Sequence, residues 1–341
     1  MLKIFFKILL ENILKRTIIT IAVGKELYVK YASNLALSFL YWNKNSDIEF
    51  KLVTDLSHLI DERIKHRIIV KAVKPSDIEI GFSSKLSLIN YLNKGANLFI
   101  DADCLIYGDV SEVFNQFKDF QISAVGHTIT SGLNTAFVKN VAATLNELKL
   151  KYFPVICGSV YYFNNEDTEL TNQFFNYAQQ LKLQYENIGL IKLRNKENEE
   201  PIFALCMSKF QFKPLKDTGK LKADRMFYQH NMKNILTGKA YLSNTNNPPI
   251  PLYCKLKEAF PLIIHYNARH TDSYEYKSDV KRLELVILKK HSLKNAEFYV
   301  TLCIEWPSVL KIKILDLIKE TFRPIYRKFF GTRKVKKSIR V

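Results

Sequence analysis

Runs of apolar residues of strand length alternate with apolar stripes of helical spacing along the first third of the chain. Thr17–Val23 is β-branched and continuously apolar, the pattern of a strand buried on both faces of a parallel sheet, and Gly24 ends it. Leu27–Trp42 carries helical periodicity through Tyr31, Leu35, Leu37, Phe39 and Leu40. Ile48–Thr54 predicts a second strand closing on Asp55, and Arg67–Val73 a third, stopped before Pro75. Leu86–Leu92 reads as a helix, Asn97–Ile100 as a strand, Val110–Lys118 as a short helix and Ile122–Val125 as another strand. This alternation predicts an α/β domain with a doubly wound, mostly parallel sheet. Such sheets bind ligands beyond the carboxyl ends of their strands, where Gly24, Asp55 and Asp101–Asp103 fall.

The second half is less regular. Val155–Phe163 is extended, with Gly158-Ser159 in its middle predicting a bulge or a close backbone approach. Leu170–Leu183 reads as a helix, and Pro201–Lys209 as a helix with proline in its first turn behind the acidic cluster Glu197–Glu200. Asn244–Pro251 is a turn-rich loop with three prolines, and Phe260–Ile264 a short strand that delivers His265. Tyr274–Lys290 and Ser308–Phe330 read as helices.

Within this frame Asp101-Ala102-Asp103 carries chemistry. An apolar strand drives into two carboxylates spaced i, i+2, and an extended chain sends such a pair to one side. Carboxylates aimed together repel unless a hard cation sits between them, which points to a divalent metal site at the sheet edge. An acidic surface turn is the alternative, since Asp is common where strands end.

Charge adds a second feature. The 341-residue chain has a formal net charge of +18, and residues 307–341 hold eleven Lys/Arg against Asp316 and Glu320. Leu310, Ile314, Leu317, Ile318, Phe322, Ile325, Tyr326 and Phe329 fall at helical spacings among these cations. A basic amphipathic helix of this kind predicts attachment to an anionic membrane surface. No groove-fitting module or stacking platform supports nucleic acid as the partner. Residues 1–16 form another amphipathic segment, in which Lys3, Lys7, Glu11 and Lys15 make a polar stripe. Lys7 and Glu11 interrupt its apolar run, which argues against a signal peptide, and no stretch is long and apolar enough to span a bilayer. Five scattered cysteines without a CxxC pair argue against a disulfide framework and for a reducing, cytoplasmic setting.

The strand ending at Gly24, then Tyr28, Leu-Val-Thr-Asp55, Lys85 and Leu-Phe-Ile-Asp-Ala-Asp103, resembles a nucleotide-sugar glycosyltransferase of the GT-A fold, closest to the family eight type and related bacterial sequences. Cys157-Gly158-Ser159, Glu199-Glu200-Pro201 and Ile263-Ile264-His265-Tyr266 continue the pattern in order. The resemblance implies a Rossmann-like sheet and a Mn2+ (or Mg2+) held by Asp101, Asp103 and His265. It places Val23, Gly24, Tyr28, Asp55, Lys85, Asp101, Ala102 and Asp103 on the donor, with Lys85 reaching the diphosphate. Glu199 and Glu200 fall on the acceptor side as candidate catalytic carboxylates, although they also suit a helix N-terminus by dipole alone. His265 taken alone reads as a core histidine. The sequence departs from the family at Cys157 and Ser159, and after His265, where it reads Tyr-Asn-Ala-Arg-His.

These readings give an amphipathic segment at 1–16, a catalytic domain at 17–290 with a nucleotide half (17–125) and an acceptor half (126–290), and a basic extension at 291–341. The expected function is transfer of a hexose from a nucleotide sugar, a UDP-sugar above others, to a glycan or lipid-linked acceptor with retention, in surface polysaccharide or lipopolysaccharide synthesis. The extension would hold the enzyme at the inner face of the membrane. A catalytically inactive module of this fold, or a basic protein binding membranes or polyanions, is the alternative.

Overall fold

The computed structural model describes residues 15–79, 81–244 and 256–331. Residues 1–14 of the expected N-terminal amphipathic segment, most of the proline-rich loop and the basic residues after Gly331 lie outside the described residues. The chain forms two compact units, divided between Ala268 and Arg269.

The strands of the first unit, in chain order, are β1 (Arg16–Ala22), β2 (Glu49–Thr54), β3 (Ile69–Ala72), β4 (Ala96–Ile100), β5 (Cys104–Ile106), β6 (Ile122–Ile129), β7 (Leu133–Thr135), β8 (Val138–Asn140), β9 (Phe153–Asn164), β10 (Leu215–Lys216), β11 (Lys222–Asp224), β12 (His230–Asn234), β13 (Lys239–Ser243), β14 (Glu258–Ala259) and β15 (Ile263–His265). A seven-stranded sheet runs in the order β10-β6-β9-β4-β1-β2-β3. All its neighbours pair in parallel except β9, which is antiparallel to β4 and β6. The expected mostly parallel α/β sheet is therefore present. The third strand is shorter than expected, Ile69–Ala72 rather than Arg67–Val73, because it lies at the sheet edge with its side chains largely exposed. The expected helix at Leu86–Leu92 is a tighter 3₁₀ run, Phe82–Tyr91.

Alternation along β9 shows why the sheet carries helices on both faces. Tyr161 and Phe163 pack on Phe203 of helix Glu199–Lys209, while the intervening Tyr162 stacks on Phe117 of helix Ser111–Phe117, centroids 5.1 Å apart. Phe174 and Phe175 of helix Thr168–Leu183 complete the aromatic cluster around Phe203. Each fully buried ring contributes about 1.5–3 kcal/mol.

A separate three-stranded sheet, β11-β15-β5, pairs Asp224 with His265 in parallel and His265 with Cys104 in antiparallel register. This small sheet unites residues from three distant parts of the chain.

The second unit is helical: Tyr274–Leu283, Leu293–Val300 and Trp306–Phe330, joined through π-helical turns at Glu284–Leu288 and Thr301–Glu305. Arg282 is 3% exposed and ties these helices together. It donates to Glu297 at 2.8 and 2.9 Å, with Glu305 at 2.9 Å and Asp279 at 3.5 Å. Those pairs tie helix Tyr274–Leu283 to the residues that follow it. Helix Trp306–Phe330 is exposed along nearly all of its length. Among the described residues no helix is long and apolar enough to cross a membrane.

Candidate functional site

Strands β1, β2 and β4 run side by side in parallel, so their carboxyl ends deliver Val23-Gly24, Asp55 and Asp101 to one edge of the sheet. Gly24 has φ of +80°, a left-handed conformation that favours glycine, and its N–H donates to both Asp55 carboxylate oxygens at 3.1 Å. Asp55 thus fixes the loop after β1. Tyr28 is half-buried on the first turns of helix Glu26–Trp42, with the Lys25 ammonium 5.7 Å from its ring.

The two aspartates meet differently from the expected strand alternation. Strand β4 stops at Ile100, and Asp101-Ala102-Asp103 is a turn closed by the Cys104 N–H donating to the Asp101 carbonyl at 3.1 Å. The turn folds both carboxylates toward His265, whose Nε2 lies 3.2 Å from Asp103 Oδ1. One ligand atom from each of Asp101, Asp103 and His265 can be chosen so that all lie within 4.8 Å of one another, within reach of one shared cation. Asp101 is anchored from below by its N–H, which donates to the Ser159 carbonyl of β9 at 2.9 Å.

Lys85 is buried under this turn, 2.7 Å from Glu199 Oε1, 3.0 Å from Asp101 Oδ1 and 2.8 Å from the Gly158 carbonyl. An ammonium has three donors, and these partners occupy all of them. Lys85 therefore neutralises buried carboxylates in this structure. Burial opposes its charge, but Asp101 and Glu199 outweigh that and raise its pKa. Glu199 and Glu200 open helix Glu199–Lys209, capped by the Asn198 side chain accepting from the Glu200 N–H at 3.3 Å. Proline at 201 sits in the first turn as the sequence predicts. Glu199 is 1% exposed, and burial, only partly opposed by Lys85, pushes its carboxyl up to about 7. Glu200 Oε1 accepts the Gly158 N–H at 2.7 Å. A Cβ at position 158 would lie 2.6 Å from Glu199 Oε1, so glycine is what lets β9 approach this pair.

On the far side of His265 stand Asp224 and Lys222, which the sequence did not single out, beside Cys157 and Ser159. Asp224 Oδ1 lies 2.5 Å from His265 Nδ1, and Lys222 Nζ lies 3.2 Å from Asp224 Oδ2 and 2.9 Å from Ser159 Oγ. Cys157 Sγ sits 3.5 Å from Asp224 Oδ1 and 3.4 Å from Ser159 Oγ. Cys157, Asp224 and His265 form a second set with ligand atoms within 4.8 Å. Burial opposes a charge on His265, but Asp103 and its other hydrogen-bond partners raise its pKa well above the usual value. Burial likewise opposes the Asp224 charge, and Lys222 and His265 overcome it, holding that carboxyl well below the usual range.

The donor set and its charge both suit a hard dication. Five carboxyl groups, those of Asp101, Asp103, Glu199, Glu200 and Asp224, surround the three basic groups of Lys85, Lys222 and His265, so acidic groups outnumber basic ones. Two carboxylates and one imidazole suit Mn2+, or with more oxygen character Mg2+.

No family model and no curated protein sequence matches the chain. Among solved structures it is similar to the galactosyltransferase LgtC bound to donor and acceptor sugar analogues, at 12% identity over 80% of this chain and 95% of that one, TM-score 0.49. It is also similar to mouse xyloside xylosyltransferase 1 in its apo form, at 10% identity over 75% of this chain and 98% of that one, TM-score 0.46. The glycosyltransferase GlyE of Streptococcus pneumoniae TIGR4 aligns at 13% identity over 60% of this chain, TM-score 0.38, and this chain spans only 46% of its length.

Proposed function

We propose that the chain is a GT-A glycosyltransferase of the family eight type, transferring a sugar from a nucleotide donor to a glycan or lipid-linked acceptor with a divalent cation. The observation that carries this reading is the meeting of Asp101, Asp103 and His265 beyond the carboxyl ends of parallel strands. Asp101 and Asp103 would hold Mn2+ or Mg2+ through oxygen, and His265 through Nε2. The bound cation supplies Lewis-acid stabilisation of the departing diphosphate. Val23 and Gly24, with no bulky side chain at the turn, leave room for a base, and Asp55 and Tyr28 border the same edge as nucleotide contacts. Lys85 orients Asp101 from beneath and opposes the burial that raises its carboxyl. Glu200 and Glu199 fix Gly158 and the β9 segment facing the reacting centre. Retention requires no carboxylate base for the acceptor, which agrees with Glu199 being sealed from solvent.

The C-terminal helix supports placement of the acceptor at a lipid surface. Within Trp306–Phe330, Leu310, Ile314, Leu317, Phe322, Ile325 and Phe329 are all exposed, while Lys313, Lys319, Arg323 and Arg327 follow the opposite stripe. Each cation near an anionic surface contributes about 1 kcal/mol before screening. Vesicles containing anionic lipid should float the full chain and not one truncated after Glu305; equal flotation would discard the membrane contact.

Nucleoside diphosphate release from a panel of nucleotide sugars, with Mn2+ or with chelator, tests the reaction itself. Release should require the metal and fall at least about 100-fold in Asp103→Ala. Undiminished turnover by that variant would end the proposal.

A further inference from the structure

We propose that Asp224 is a positioning residue that commits His265 to a single nitrogen, holding Nδ1–H so that only Nε2 is presented to Asp101 and Asp103. The inference rests on the metal reading above and concerns a residue outside that ligand set. His265 stands between two carboxylates, with Nδ1 on Asp224 and Nε2 facing Asp103, and it belongs to both candidate cation sets. A neutral imidazole has one lone pair, so one set must yield.

Three observations decide which. Both oxygens of Asp224 are engaged: Oδ1 takes the imidazole and the Cys157 thiol, and Oδ2 takes Lys222. The Nδ1 side is also electrically balanced, Asp224 against the buried Lys222 ammonium with the Cys157 thiol beside them, whereas Asp101 and Glu199 share Lys85 and Asp103 has the Nε2 face of His265. A dication is therefore held more strongly by the second set than by the first. Finally, backbone register sets the contact, because Asp224 and His265 are paired neighbours in β11 and β15. Asn267 Nδ2 also approaches Nδ1, at 3.3 Å, but a carboxylate at 2.5 Å is the stronger partner and takes the N–H. Carboxylates behind metal-bound histidines fix the tautomer in this way.

Mn2+ binding to the full chain tests the proposal, read by the electron paramagnetic resonance of free Mn2+ and by the ¹⁴N modulation that a coordinated imidazole imposes on bound Mn2+. Asp224→Asn, whose amide can donate to Nδ1 and reverse the tautomer, should weaken Mn2+ binding about 10- to 100-fold and diminish the ¹⁴N modulation. Asp224→Glu should recover part of both. Wild-type affinity and modulation in Asp224→Asn would overturn the positioning role while leaving the metal reading intact. No Mn2+ binding by the wild-type chain would overturn the metal reading and this role with it. A loss in Cys157→Ala as large as in Asp224→Asn would put the ion on the sulfur side, also against the proposal. One measurement needs no variant to fold: nitrogen NMR of wild-type His265 with Mg2+ bound should show the proton on Nδ1, and a proton on Nε2 would contradict the assignment.

Discussion

Lys85 and Lys222 are both buried beneath the same carboxylate cluster, yet their surroundings differ in reserve. Lys85 serves Asp101 and Glu199 at once, with Glu200 close by on Gly158. Glu199 Oε2 already lacks a hydrogen-bond partner among the described residues. Lys222 serves Asp224, which also has His265. Removing Lys85 therefore strands two carboxylates, one of them fully buried. Removing Lys222 leaves Asp224 a second cationic partner. The difference shows that the cost of losing a buried cation depends on what its partners retain.

The largest expected effect follows from Lys85→Met, which should lower the unfolding free energy by about 3–5 kcal/mol in urea titrations. Lys222→Met should cost about 1.5–3 kcal/mol, the range for one charged hydrogen bond, since His265 still satisfies Asp224. Equal losses in the two variants would break the comparison. A further effect is one of pH. Burial raises the Glu199 carboxyl from 4.5 to about 7, so the folded chain binds that proton more tightly than the unfolded chain. Its stabilising contribution is complete below the unfolded value of 4.5 and lost as pH rises through about 7. Wild type should therefore lose stability relative to Glu199→Gln across that window. A flat difference would mean that Lys85 keeps Glu199 ionised throughout.

The same contrast explains what could be read from the chain. Strands β1 and β4 are buried, mostly apolar runs, and β2 carries an apolar Leu52-Val53 centre, which marks all three. Asp101 and Asp103 stand out because they interrupt such a run, although a turn and not strand alternation brings them together. His265 emerges only from its place in a family pattern. Lys222 and Asp224 leave no local trace: β11 is three residues long, polar at both ends, and its partner strand β15 lies some forty residues later. In a chain with 51 Lys and Arg, one more lysine carries no signal. Hairpin β12–β13 is similarly hidden, since His230–Asn234 has the composition of a loop and becomes a strand only by pairing with Lys239–Ser243.

The central claim is that Asp101, Asp103 and His265 hold the cation on which nucleotide binding depends. Calorimetric titration of UDP into the full chain, with Mn2+ and then with chelator, tests it most directly in wild type and Asp103→Asn. The account predicts UDP binding that requires Mn2+ in wild type and is lost in the variant. Binding of equal strength with chelator, or unchanged binding in Asp103→Asn, would contradict it.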